Sequence, residues 1–151
     1  MPSQRETVLQ FAFTAANGSG KPVGLKVERM RLTQIETSEI PHLNIRPSDE
    51  TVDFGKLGPR APAVMRSLSF VAEARTLATG STSADASADA VLLWANTALQ
   101  ADITLGGNAV HIVETGTKWV AEDTGSGKFC LATRTYAVLY PTKRLNEGSK
   151  P

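Results

Sequence analysis

Apolar residues recur at helical spacing near the start of the chain and alternate along most of its remaining length. Val8, Phe11, Ala12 and Ala15 form one stripe and Leu9, Phe13 and Ala16 a second beside it, which predicts a helix with a wide buried face over residues 3–17. Ser3-x-x-Glu6 marks its start: the Ser3 hydroxyl takes the Glu6 N–H and the Glu6 carboxylate reaches back to the Ser3 N–H. Asn17-Gly18 supplies the stop, with Pro22 beyond it. The middle of the chain then changes period. Val23, Leu25 and Val27 alternate with polar residues as a half-buried strand, while 29–40 is mixed and reads as loop. Leu43 and Ile45 predict a short strand held between Pro41 and Pro47, each at a strand end where a missing N–H costs least, and Val52 with Phe54 a brief further one. Residues 55–62, rich in Gly and Pro, form a loop.

The clearest strand begins at Val64, with Leu68, Phe70, Ala72 and Ala74 on one face and Ser67, Ser69, Glu73 and Arg75 on the other. Ala88, Val91, Leu92, Ala95 and Leu99 predict a second helix over 83–101, capped through Thr82-x-x-Asp85. Two β-prone pieces come next on either side of Gly116, 109–115 and 118–122, and a long last strand over 128–140 is ended by Pro141. The fold class predicted is α+β: one mixed, mostly antiparallel sheet with both helices packed on one face. The domain covers 1–141 and a loose polar tail covers 142–151.

Composition narrows the use of this fold. At 151 residues the chain is about one domain and buries roughly two-thirds of its unfolded surface without a disulfide or metal staple. A formal charge of +1 argues against a nucleic-acid binder that works through an overall basic field. A polar start and the lack of any apolar run approaching ~18 residues point to a soluble cytosolic domain. Cys130 is a single cysteine, and with only His42 and His111 beside it no Cys/His zinc site can be assembled; no cofactor is expected.

Enzyme motifs are missing. No G-x-S-x-G occurs, and the Gly-Ser-Gly strings at 18–20 and 125–127 read as turns. Thr124-Gly125-Ser126-Gly127-Lys128 leads into a strand where a phosphate loop needs a helix. Cys130 lies in a strand with no base marked beside it, and His111 and Glu114, three apart, fall on opposite faces. His42 with Asn44 and Arg46 reads as a solvated or interface face, Arg29-Met30-Arg31 as solvated charge, and Trp94 and Trp119 each as core first and a contact surface second.

Four strings carry a resemblance. Residues 39–50, EIPHLNIRPSDE, resemble the E-L-P-x-I-x-V-x-P-G-D-E segment of small tail proteins of long-tailed bacteriophages, with Ser48 standing where glycine is usual. Residues 66–73 (RSLSFVAE), 104–107 (TLGG) and 132–140 (ATRTYAVLY) agree in order and spacing, so the similarity spans about residues 5 to 141. The arrangement resembles the tail terminator family. That resemblance implies a homohexameric ring in the virion neck, assembled in the host cytoplasm, that caps the tail tube and ends its polymerisation. Its implied partners are the major tail tube protein, a head–tail connector or stopper and the tape measure protein, with viral DNA passing through unread and no membrane involved. It implies no catalytic residue. Docking loops are expected at 29–40, 55–62 and 80–83 and in the tail, with Arg29, Arg31 and Arg60 as interface candidates. A lumen that lets DNA pass should be acidic or neutral, and Glu36, Glu39, Asp49 and Glu50 are the candidates to line it. Two other classes fit the same residues: another neck component, such as an adaptor or stopper, and a small ligand-binding or enzymatic α+β domain.

Overall fold

In the computed structural model, which describes residues 2–53, 63–124 and 127–143, the elements run α1 (Gln4–Ala16), β1 (Lys26–Arg29), a single 3-10 turn (Thr37–Glu39), β2 (His42–Asp53), β3 (Ala63–Leu77), α2 (Ala84–Gln100), β4 (His111–Thr124) and β5 (Gly127–Lys143). The five strands form one sheet in the order β1-β2-β3-β5-β4, with β1 parallel to β2 and every other pair antiparallel. The fold is α+β, as the alternation and the two helical stripes predict.

Both helices cover one face of this sheet. Leu43 and Ile45 of β2, Leu68, Phe70, Ala72 and Ala74 of β3, and Ala132, Tyr136, Val138 and Tyr140 of β5 are buried there with Val8, Leu9 and Ala12 of α1 and Ala88, Val91, Leu92, Ala95 and Leu99 of α2. Alanines on both layers let helix and sheet approach closely, and the large side chains fill the space between. Phe70 and Tyr136, directly paired across β3 and β5, stack with centroids 5.2 Å apart, and the Tyr136 hydroxyl donates to Asn96 Oδ1 of α2 at 3.2 Å. Trp94, partly buried, packs against this core, and its Nε1–H donates to the Ala16 carbonyl at 3.0 Å, satisfying one of the open carbonyls at the end of α1.

Several boundaries differ from the sequence reading. At α1 the Ser3 hydroxyl accepts from the Glu6 N–H at 3.1 Å as predicted, but the Glu6 carboxylate pairs with Arg29 at 2.6 and 2.8 Å instead of returning to Ser3. The cap of α2 is Ser83, because Thr82 is held in a bridge to Thr79. β1 starts only at Lys26; Val23 is fully exposed on a turn closed by Gly24 at φ +77°.

β2 runs on past Pro47 to Asp53 with an irregularity between Pro47 and Asp49, and β5 runs past Pro141 to Lys143. Both prolines sit where their strand is paired on one side only, since β1 ends opposite Ile45 and β4 begins opposite Leu139. Thr142 is therefore buried in β5, its Oγ1 accepting from Arg66 Nε at 3.0 Å, and does not begin a loose tail. The two pieces around Gly116 are one strand with a bulge between Glu114 and Gly116. Phe54, the 55–62 loop and the tail beyond 143 lie outside the described residues.

Leu92 is fully buried between α2 and the sheet, so Leu92→Ala should lower unfolding free energy by about 2–5 kcal/mol in a denaturant titration. Gly106 adopts φ +71°, and a Cβ there would lie 2.5 Å from the Phe11 ring. Gly106→Ala should therefore cost more than about 1 kcal/mol by the same measurement, and an unchanged midpoint would contradict the packing of α1 on this turn.

Candidate functional site

Parallel pairing of β1 with β2 forces the chain between them to cross a face of the sheet, and the helices occupy the other face. Residues 30–41 accordingly fold over the open face, where alternation in β1, β2 and β3 presents polar side chains: Lys26 and Glu28, His42, Asn44 and Arg46, Glu73 and Arg75. The Asn44 amide takes both main-chain groups of Arg31, accepting from its N–H at 3.0 Å and donating to its carbonyl at 3.1 Å. It thus acts as a length of strand would for a segment that has none.

The Arg31 guanidinium is fully engaged. It donates to Glu28 at 2.7 Å, to Glu39 at 2.9 and 3.0 Å, to the Gln34 carbonyl at 3.2 Å and to Thr33 Oγ1 at 2.5 Å. Lys26 bridges the same two carboxylates, at 2.8 Å to Glu39 and 3.2 Å to Glu28. His42, buried beneath the crossing, lies with Nε2 2.8 Å from Glu28. Hydrogen bonds from His42, and then from Arg31 and Lys26, hold the Glu28 carboxyl down to about 2, and Arg31 with Lys26 depresses that of Glu39 as well. The chemistry of the cluster is fastening: both carboxylates stay ionised at neutral pH and fix the crossing to the sheet. Next to it, Arg46 is bound to Glu73 at 2.6 and 2.9 Å, and Arg75 reaches Glu122 at 3.2 Å while lying over the Phe129 ring.

A second group sits on the helix side. Glu50 of β2 meets Arg66 at 3.3 Å and Arg5 at 3.4 Å and accepts from the Tyr140 hydroxyl, whose pKa is raised by burial first and by that carboxylate second. A cavity of about 810 Å³ opens between 78–85 and the β4–β5 hairpin, lined by Ser81, Ser83, Asp85, Glu122, Lys128 and Cys130 among others. Burial pushes the Cys130 thiol up, which keeps it protonated. Among the described residues there is no group of three or more His, Cys, Asp or Glu that could hold a metal.

The sequence-predicted candidates separate. Arg31 and Glu39 come together on the open face. Arg29 turns to the helix side and pairs with Glu6 and Gln10, so neither arginine is solvated charge. Glu36 is exposed at the start of the 3-10 turn, its N–H donating to Glu39 Oε2 at 2.9 Å. Asp49 and Glu50 lie in a strand and not in an irregular loop, Asp49 exposed and Glu50 committed to internal partners. Arg60 lies outside the described residues. His42 is buried and paired where a solvated or interface position was expected, because the crossing covers it. Trp119 is 51% exposed on β4 and is not core. Lys26, Glu28 and Glu73 escaped the sequence reading, although KVER and HLNIR alternate in a way that puts their polar residues on one face once the two strands are paired.

The depressed carboxyl gives a pH signature. Glu28 titrates at 4.5 when unperturbed and at about 2 in the folded chain, so its contribution is complete above pH 4.5 and is lost as pH falls toward 2. Urea midpoints measured from neutral pH downward should fall through that window. Glu28→Gln should start lower and fall less steeply, and parallel profiles would contradict the role given to Glu28.

No protein-family model matches the chain, and no curated protein matches it in sequence.

Proposed function

We propose that this chain is a tail-terminator subunit, six copies of which form a ring that caps the tail tube of a long-tailed phage, ends its polymerisation and offers a docking face to the head-side connector. The observation that carries this reading is where the four family-like strings fall. Residues 39–50 supply the end of the 3-10 turn and most of β2, 66–73 the centre of β3, 104–107 the turn leading to β4, and 132–140 the centre of β5. The resemblance therefore runs through the sheet itself and the turn that enters its edge.

The mechanism rests on repetition. A heterologous contact that closes on itself gives two unlike axial faces, one matched to the last ring of the tube and one not. Six modest contacts made together hold far longer than any one alone. Of the four acids expected at the lumen, Glu36 and Asp49 are exposed and able to face DNA, while Glu39 and Glu50 are engaged inside the subunit.

In the phage that encodes the chain, particles assembled without it should carry tails of irregular, excessive length that do not join heads, as seen by electron microscopy. Tails of normal length that merely fail to attach would reject termination and favour a connector.

A further inference from the structure

The outer edge of β4 has no strand beside it: among the described residues β4 pairs with β5 alone. Such an edge is usually blunted by proline, a short length, a bulge, lysine or other charge, or a covering element. Here the bulge lies before Gly116, and the rest of β4, Gly116–Thr124, is nine regular residues without proline, with one lysine, Lys118, and with Trp119 (51%) and Val120 (42%) exposed. We infer that this edge pairs with the same edge of a second copy of the chain, antiparallel and about a twofold axis through Val120.

Charge and symmetry choose both the occupant and the register. Twofold antiparallel pairing requires an axis perpendicular to the sheet, so the two helix layers lie on the same side and residues of like face meet. Val120 is the midpoint of the nine residues, and centring there uses the whole regular segment of both copies. Lys118 then stands opposite Glu122 twice, Trp119 opposite the small Ala121 twice, and Val120 opposite itself. Moving the axis to Lys118 sets lysine against lysine and runs the pairing into the bulge between Glu114 and Gly116. Lys118 is exposed and has no ion pair among the described residues, and Glu122 holds Arg75 through one oxygen only. Neighbours in a single sixfold ring are not related by a twofold axis, so this pairing belongs to the free chain and stands independently of the terminator reading.

Sedimentation of the full chain over a concentration series should show a monomer–dimer equilibrium. In a Cys130→Ala background, Val120→Cys should form a disulfide-linked dimer on mild oxidation, because the two cysteines face each other across the axis. Ala121→Cys should not, since its copies lie roughly 8 Å apart by strand geometry, beyond disulfide reach. Lys118→Glu should weaken the dimer about tenfold by setting two pairs of like charges opposite each other. A chain that stays monomeric overturns the proposal. So does a dimer or larger assembly in which Val120→Cys fails to cross-link or Ala121→Cys cross-links equally, and so does a Lys118→Glu dimer of unchanged affinity.

Discussion

Pairing of β3 with a neighbour along almost its whole length on both sides is the constraint on which the other elements depend. Met65 to Arg75 have partners in β2, and Ala63 to Leu77 have partners in β5. That double ladder fixes which face Leu68, Phe70, Ala72 and Ala74 present, since a slip of one residue would turn all four outward. Once the face is fixed, both helices have a single apolar floor to sit on. The stacked Phe70–Tyr136 pair and the Tyr136–Asn96 hydrogen bond then set where α2 lies along it.

With the helices on one face, the parallel β1–β2 pair has to send its connection over the other. This explains a polar cluster that is otherwise out of place on a sheet. An irregular segment crossing a sheet needs partners for its main chain and carries few apolar residues to hold it down. Asn44 supplies the partners and Arg31, between Glu28 and Glu39, supplies the hold. Ion pairs this close to water are individually weak, but here several share members and a buried histidine anchors them from below. The helix side thus carries the fold, the crossing fastens one half of the open face, and the outer edge of β4 has no strand beside it among the described residues.

Helical and strand periods are local properties, and α1, β3 and α2 were legible in the sequence for that reason. Val91, Leu92 and Leu99 are buried as their spacing predicts. Boundaries at Pro47 and Pro141 were misread because proline's cost depends on whether a strand is flanked on one side or two, which is a property of sheet order. The candidate site was legible only in part for the same reason. Arg31 and Glu39 were singled out as charges of a loop, but His42, Glu28 and Lys26 join them only once β1 lies parallel to β2. Trp119 depends on sheet order in the same way: an aromatic in a β-prone run fits core or a contact surface, and only its place on the edge strand decides against core.

Native-state hydrogen exchange, residue by residue, tests this division of labour most directly. Amides deepest in the fold open only with global unfolding, whereas peripheral ones open locally. The slowest exchange should lie in the β3–β5 ladder beneath the helices, with the β1–β2 crossing faster and the outward-pointing amides of Gly116–Thr124 fastest among the strands when the chain is dilute. If instead β4 or the crossing were protected as strongly as β3 in the dilute chain, the claim that the helix-covered β3–β5 pair carries the fold would be contradicted.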